Sequence, residues 1–285
     1  MVILLLGCTV STLGGLKQGI ERAAALEYQC TQVYITKSRS WDIGPINIDN
    51  LEEYAKSFHV HLIGHIPLIV NIASKKDTIR KKSMHRLKQE VLRADQCGVR
   101  VLVLHPGSTL DGDTARGLAC VAEAMDELSD LCTEHDVTFA LETMSGQGTQ
   151  LGSHFEELAH ILHSVKDNSH IAVCLDTCHM YAAGYRIDSL ESLSDVLAQF
   201  DKLIGLDRIQ AIHLNNTKVE WGHKTDRHSS VFNGNIPLEV FESLVCDERL
   251  AHVPMVLEPP AKDLTGPQQV RYLSEIRAMP PPHKE

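Results

Sequence analysis

Several features are missing from this chain, and each absence excludes something. The 8 cysteines include no C-x-x-C pair, so the local signature of a redox or thiolate-metal motif is lacking. The opening MVILLLGCTV has neither a basic n-region nor a cleavage site, and its apolar run is too short for a signal peptide or a membrane span. Nothing therefore points to secretion or to a membrane. The thiols are expected to be reduced and the compartment intracellular, with cytoplasm, nucleus and virion undistinguished. Positive charge is not in excess: Lys+Arg 27 against Asp+Glu 37 gives a net charge of −10, so no global basic surface recruits nucleic acid. The segment GCTVSTLGGL contains glycines, but not at the G-x-G-x-x-G spacing of a dinucleotide loop. No repeat, low-complexity stretch or linker rich in Gly, Ser or charge divides the chain.

What is present is a core-forming composition. With 285 residues, 43% of them hydrophobic and 22% charged, the chain has enough apolar surface to fold compactly. Short β-branched runs alternate with stretches of helical period. Strands are expected at 2–7, 31–35, 60–65, 99–105, 137–142, 171–176, 209–214 and 253–258. Helices are expected at 14–28, 48–58, 75–97, 112–135, 153–166, 188–203, 236–246 and 266–278. In the fourth helix Leu118, Ala122, Met125, Leu128 and Cys132 recur at three- and four-residue spacing, which makes one apolar stripe. Gly98 suits a left-handed helix end. Eight strand–helix units predict an α/β fold, a single (β/α)8 TIM barrel over 1–285 with a frayed tail at 279–285. An open doubly wound sheet is the alternative.

The strand ends carry the chemistry. Successive strands end at His65, His105, Glu142, Asp176, His213 and Glu258, all metal-ligand types, and in a barrel these ends converge on one mouth. His179, Asp226 and His228 lie in the loops just beyond. Glu142, Asp176 and Glu258 each follow an apolar run, and a buried carboxylate needs a cation; no Lys or Arg lies within these strand ends. Imidazole and carboxylate without thiolate suit Zn, Mn or Fe. Cys174 reads as a small core hydrophobe and Cys178 as a weak ligand candidate. Nine ligands exceed the capacity of one ion, so two or three are expected. Glu142, Asp176, His213 and Glu258 form one group, with Glu142 bridging towards His65 and His105. His179, Asp226 and His228 form another.

At these residues a resemblance becomes specific. HPGS at 105–108, LETMSGQGTQLG at 141–152, LDTCHMYAAGY at 175–185, HLNNTK at 213–218, DRH at 226–228 and LEPP at 257–260 resemble the motif series of the endonuclease IV family. These are the apurinic/apyrimidinic (AP) endonucleases of DNA base-excision repair, and the similarity runs over nearly the whole chain. The resemblance implies a barrel with three Zn2+ that cuts the phosphodiester 5′ to an abasic site in double-stranded DNA, leaving a 3′-hydroxyl and a 5′-deoxyribose phosphate. It assigns His65, His105 and Glu142 to the first zinc, Glu142, Asp176, His213 and Glu258 to the second, and His179, Asp226 and His228 to the third. Mn2+ is an alternative occupant of one site. Glu142 and Glu258 are the candidate catalytic carboxylates, and a monomer is expected.

Arg39 matches a loop residue that in the family enters the base stack, and Leu68 and Ile69 are further candidate wedges for DNA. The chain departs from the family at Thr9, where a His is usual, at Leu68, where a Tyr is usual, and at Phe232, Asn233 and Gly234, where G-E-G is usual. None of these removes a ligand; all bear on how the duplex is gripped. Six positive charges on three zinc ions would exceed the four carboxylates among the ligands, leaving the mouth locally positive on an acidic chain. Modest non-specific DNA binding with a shallow salt dependence follows. Two other readings remain open. A sugar isomerase or epimerase would use only Glu142, Asp176, His213 and Glu258 around one Mn or Co. A lesion-binding protein without catalysis would bind an abasic duplex but not nick it.

Overall fold

The computed structural model describes residues 4–43, 51–260 and 265–278. Eight parallel strands close into a barrel: β1 (Leu6–Cys8), β2 (Cys30–Val33), β3 (His61–His65), β4 (Val101–Leu104), β5 (Thr138–Glu142), β6 (Ile171–Asp176), β7 (Ile209–His213) and β10 (Met255–Leu257). The short strands β8 (Asn216–Thr217) and β9 (His228–Ser229) pair as an antiparallel ribbon outside it. Going round the barrel the strands follow chain order, β10 lying between β7 and β1. All eight expected strands and all eight expected helices are present; most are trimmed by a few residues at their ends, while the first two strands, expected at 2–7 and 31–35, are shifted to Leu6–Cys8 and Cys30–Val33. Expectations for residues 2–3, 48–50 and the tail 279–285 fall outside the described residues.

Trimming has a consequence at the mouth. His105 and Glu258 sit one residue beyond the last laddered positions of β4 and β10, where the backbone has already left the sheet.

The barrel interior explains why ligands occur where they do. The barrel interior is filled by Cys30, Ile63, Val103, Ala140, Ala172, Cys174, Ala211 and Val256. Side chains in a strand alternate between faces, so the residue two positions onward also points inward, one layer nearer the carboxyl ends. From Ile63, Val103, Ala140, Cys174, Ala211 and Val256 that step reaches His65, His105, Glu142, Asp176, His213 and Glu258. Closure of the barrel also needs Gly7, because a Cβ there would come within 1.7 Å of the Cys30 carbonyl oxygen.

The outer helices bury the expected stripe. Leu118, Ala122, Met125, Leu128 and Cys132 are all buried, and Gly98 adopts φ +68° just past the helix Asp77–Gln96.

Candidate metal centre

Nine side chains meet at the carboxyl-terminal mouth. His65, His105 and Glu142 form one group, Glu142, Asp176, His213 and Glu258 a second, and His179, Asp226 and His228 a third. Within each, the candidate ligand atoms lie within 4.8 Å of one another. Glu142 is the shared member. Its Oε2 lies 3.0 Å from His105 Nε2 and 3.4 Å from His65 Nε2, while Oε1 lies 3.1 Å from His213 Nδ1 and 3.2 Å from His179 Nδ1.

Hydrogen bonds to the far side of each ring select the nitrogen that faces the centre. His65 Nδ1 lies 2.7 Å from the Ile66 carbonyl and His179 Nδ1 2.8 Å from the Thr143 carbonyl. A carbonyl only accepts, so these nitrogens carry the proton and both Nε2 lone pairs are left for a ligand role. His213 is held the other way round. Its Nε2 lies 2.8 Å from Gln32 Oε1, and Gln32 Nε2 donates to Glu258 Oε1 at 2.7 Å, so Nδ1 faces Glu142, Asp176 and Glu258.

The carboxylates are oriented as well. Asn215 Nδ2 donates to Asp176 Oδ2 and Glu258 Oε2, and the Glu258 amide donates to Asn215 Oδ1. The Asp176 amide donates to Thr143 Oγ1.

Three atoms remain unsatisfied. Glu142 Oε2, His179 Nε2 and His228 Nε2 are buried without a hydrogen-bond partner, although His179 Nε2 is 3.2 Å from Asp226 and His228 Nε2 is 3.3 Å from it. Buried polar atoms left unpaired are costly. A cation shared with the opposing ligands satisfies all of them, and an imidazole–carboxylate donor set suits a divalent ion.

The field at the site agrees. Burial alone would push the Glu142 carboxyl up, but the facing His105 and His213 outweigh it and hold it well below the usual carboxylate range. Asp176 is lowered against burial by His179 and His228, and Asp226 by His179 and His228. Burial opposes charge on His179 and His213, yet Asp176 beside His179, and Cys174, Glu258 and Glu142 around His213, pull both well above the ordinary imidazole value. Without metal the centre attracts protons; a bound cation takes their place.

Two local elements differ from the sequence reading. LDTCHMYAAGY is not a plain loop: a helix, Thr177–Ala183, begins directly after β6. Asp176 caps it by accepting from the His179 amide at 2.9 Å, and Gly184 closes it at φ +111°. An Asp cap and a terminal Gly were the available signals. His228, likewise, begins strand β9 rather than sitting in open loop.

Gln32, Asn215, Thr143 and Tyr34 carry no ligand signature and were missed. The Tyr34 ring packs 5.2 Å from that of His65, and its hydroxyl is pushed up by burial and then by Glu258 and Glu142. Cys174 lies in the barrel layer as expected. Cys178 comes within reach of Asp176 and His228, but burial pushes its thiol up to about 12.

Among the candidate DNA contacts, Arg39 and Leu68 are exposed and Ile69 is half-buried. Of the departures, Thr9 donates its amide to the Leu257 carbonyl. Phe232 is exposed with its ring 5.5 Å from that of Tyr272. Gly234 lies so close over Asn216 that a Cβ would fall 2.2 Å from its Oδ1.

The sequence matches the family model described as "Xylose isomerase-like TIM barrel" over residues 20–279. It is 35% identical over 278 residues to a probable endonuclease 4 of Trichlorobacter lovleyi, covering 96% of this chain and 99% of the relative. It is 32% identical over 280 residues to the apurinic-apyrimidinic endonuclease of Caenorhabditis elegans, covering 96% of this chain and 70% of the relative. The crystal structure of endonuclease IV from Thermus thermophilus superposes with a TM-score of 0.81 at 25% identity, covering 95% of this chain and 97% of that one. The chain thus belongs to the xylose isomerase-like TIM-barrel family and, within it, to the endonuclease IV family.

Proposed function

We propose that this protein is a zinc-dependent AP endonuclease of base-excision repair. It hydrolyses the phosphodiester 5′ to an abasic site in double-stranded DNA and leaves a 3′-hydroxyl and a 5′-deoxyribose phosphate. The observation that carries this reading is the set of buried, unpartnered atoms on Glu142, His179 and His228, which face the group with His65 and His105 and the group with Asp226. Three Zn2+ would be held by His65, His105 and Glu142, by Glu142, Asp176, His213 and Glu258, and by His179, Asp226 and His228. Bound there, they supply Lewis acidity: a nucleophile at neutral pH and neutralisation of charge developing on the phosphate.

The chain's own groups divide the remaining work. Glu142 is buried and belongs to two groups, so its role is to hold them in register. Glu258 is one-fifth exposed at the mouth, where its carboxylate can accept a proton from an attacking water. Gln32 and Asn215 keep that carboxylate aimed.

The rim is built to meet a duplex with a gap in its stack. Leu13, Trp41, Leu68, Leu110 and Phe232 are exposed on loops following the carboxyl ends of the strands. Lys37, Arg39, Lys218 and Arg227 stand exposed among them. A groove of about 390 Å³ lined by Lys218, Arg227, His228 and Asn233 leads away from the third group. Apolar wedges can occupy the place of a missing base and cations can hold the flanking phosphates. Leu68 is the better wedge, since Ile69 is half-buried. No described helix is long and apolar enough to cross a membrane. We place the protein inside the cell as a monomer.

The deciding experiment incubates the full chain with a duplex carrying one tetrahydrofuran site, with and without chelator. Nicking that leaves a polymerase-extendable 3′ end, lost on chelation and restored by Zn2+, is expected. Binding without nicking overturns the assignment in favour of a lesion-binding protein. No product from the duplex, with about one Mn per chain, points to an isomerase.

A further inference from the structure

The largest fully buried side chain among the described residues is an arginine, Arg86, on the helix Asp77–Gln96. It lies away from the metal centre and no part of the chemistry above uses it. Its Nε donates to Glu90 Oε1 at 2.7 Å, and both side chains are 1% exposed. Its Nη2 donates to Thr36 Oγ1, and that hydroxyl in turn donates to Glu90 Oε1. The other bonds leave the helix: Nη1 reaches the Ser40 carbonyl at 3.1 Å and Nη2 the Lys37 carbonyl at 3.4 Å. Lys37 and Ser40 bracket Ser38 and Arg39, and Trp41 follows.

A fully buried ion pair is a poor device for stability, because desolvation offsets the attraction and an apolar pair of the same size packs as well. Here Glu90 Oε2 is also left without a partner. What the pair does accomplish is geometric. A rigid guanidinium fork fixes two backbone carbonyls of a surface loop from beneath. The helix anchors the neighbouring loop too: Ser83, one turn earlier and buried, accepts from the Asn71 amide at 2.9 Å.

We propose that Arg86 and Glu90 are positioning residues that lock the 36–41 loop in the shape presenting Arg39 and Trp41 to duplex DNA. The DNA half of this inference rests on the endonuclease reading. A loop ordered in advance loses less conformational freedom on binding, so the pair acts on affinity and leaves the hydrolytic step alone.

Arg86→Ala would strand the Glu90 charge in the interior, so the informative variant is the apolar pair Arg86→Met with Glu90→Leu; Arg86→Lys, which keeps the charge and loses the fork, should fall between. In a Trp221→Phe background Trp41 is the sole tryptophan, and acrylamide quenching of its fluorescence reads the loop without DNA. The apolar pair should raise the quenching constant about twofold, as expected for a released loop. In the native-Trp background it should raise KM for the abasic duplex about tenfold while kcat stays within about threefold and zinc content is unchanged. Arg39→Ala should cost about as much alone, and adding it to the apolar pair should cost less than about twofold more, because the two act as one unit.

Unchanged Trp41 quenching, additive effects, or a fall in kcat at constant KM would overturn the proposal. If the wild-type chain neither binds nor nicks the duplex, the endonuclease reading and the DNA half fall together. Quenching would then still decide whether the pair locks the loop.

Discussion

Replacing Glu142 by Gln tests the centre at the residue its groups share. The side chain is 1% exposed and both oxygens face imidazole nitrogens at 3.0–3.4 Å. Glutamine removes the charge and adds a donor. With Nδ1–H of His65 committed to Ile66 and Nε2 of His213 to Gln32, the new amide can donate to His65 Nε2 or His213 Nδ1, occupying a lone pair needed for metal. The electrostatic loss has a definite scale. A unit charge about 4 Å from a carboxylate at an effective dielectric near 20 is worth about 4 kcal/mol, or about 10³ in rate.

His228 makes a useful contrast, since it is one-fifth exposed and belongs to the group with His179 and Asp226, which does not include Glu142. Losing it removes one imidazole from one group and no charge from the centre, so the cost should be smaller than that of Glu142→Gln. Single-turnover nicking of an abasic duplex should therefore leave Glu142→Gln at least about tenfold slower than His228→Gln when compared at equal measured zinc content. Equal residual rates with zinc retained would refute the shared role of Glu142.

Other expectations follow from the same geometry. Gln32→Leu removes the acceptor for His213 Nε2–H and a donor to Glu258; chelator competition should show metal affinity reduced about 10–100-fold, the range for a lost orienting partner. Gly7→Ala drives a Cβ into the Cys30 carbonyl, so urea denaturation should show a loss of more than about 3 kcal/mol, or no folded protein. Cys246 is exposed while Cys178 is buried with its thiol pushed up to about 12; a thiol reagent at pH 8 should modify Cys246 in the folded chain and Cys178 only on unfolding.

The barrel and most of the centre were legible because both follow from strand period. Short apolar runs end at residues two steps beyond a position inside the barrel, and six of those ends are ligand types. Gln32 obeys the same step from Cys30 but escaped notice, because an amide does not register as a ligand. Its importance comes from orienting His213, a relation between strands that no local pattern contains. The helix carrying His179 is short, and its length is set by the Asp176 cap and Gly184 rather than by apolar periodicity. Arg86 and Glu90, four apart on a helix, look like an ordinary exposed i,i+4 pair; only the loop folded over them shows that they are buried.

On the proposed function, side chains from separate strands cage several divalent cations at one rim. Metal analysis of the purified chain, by inductively coupled plasma mass spectrometry after exhaustive dialysis, addresses it most directly. Close to three zinc ions per chain are expected, with fewer in Glu142→Gln. About one manganese per chain, or none of any metal with full nicking activity, would contradict it.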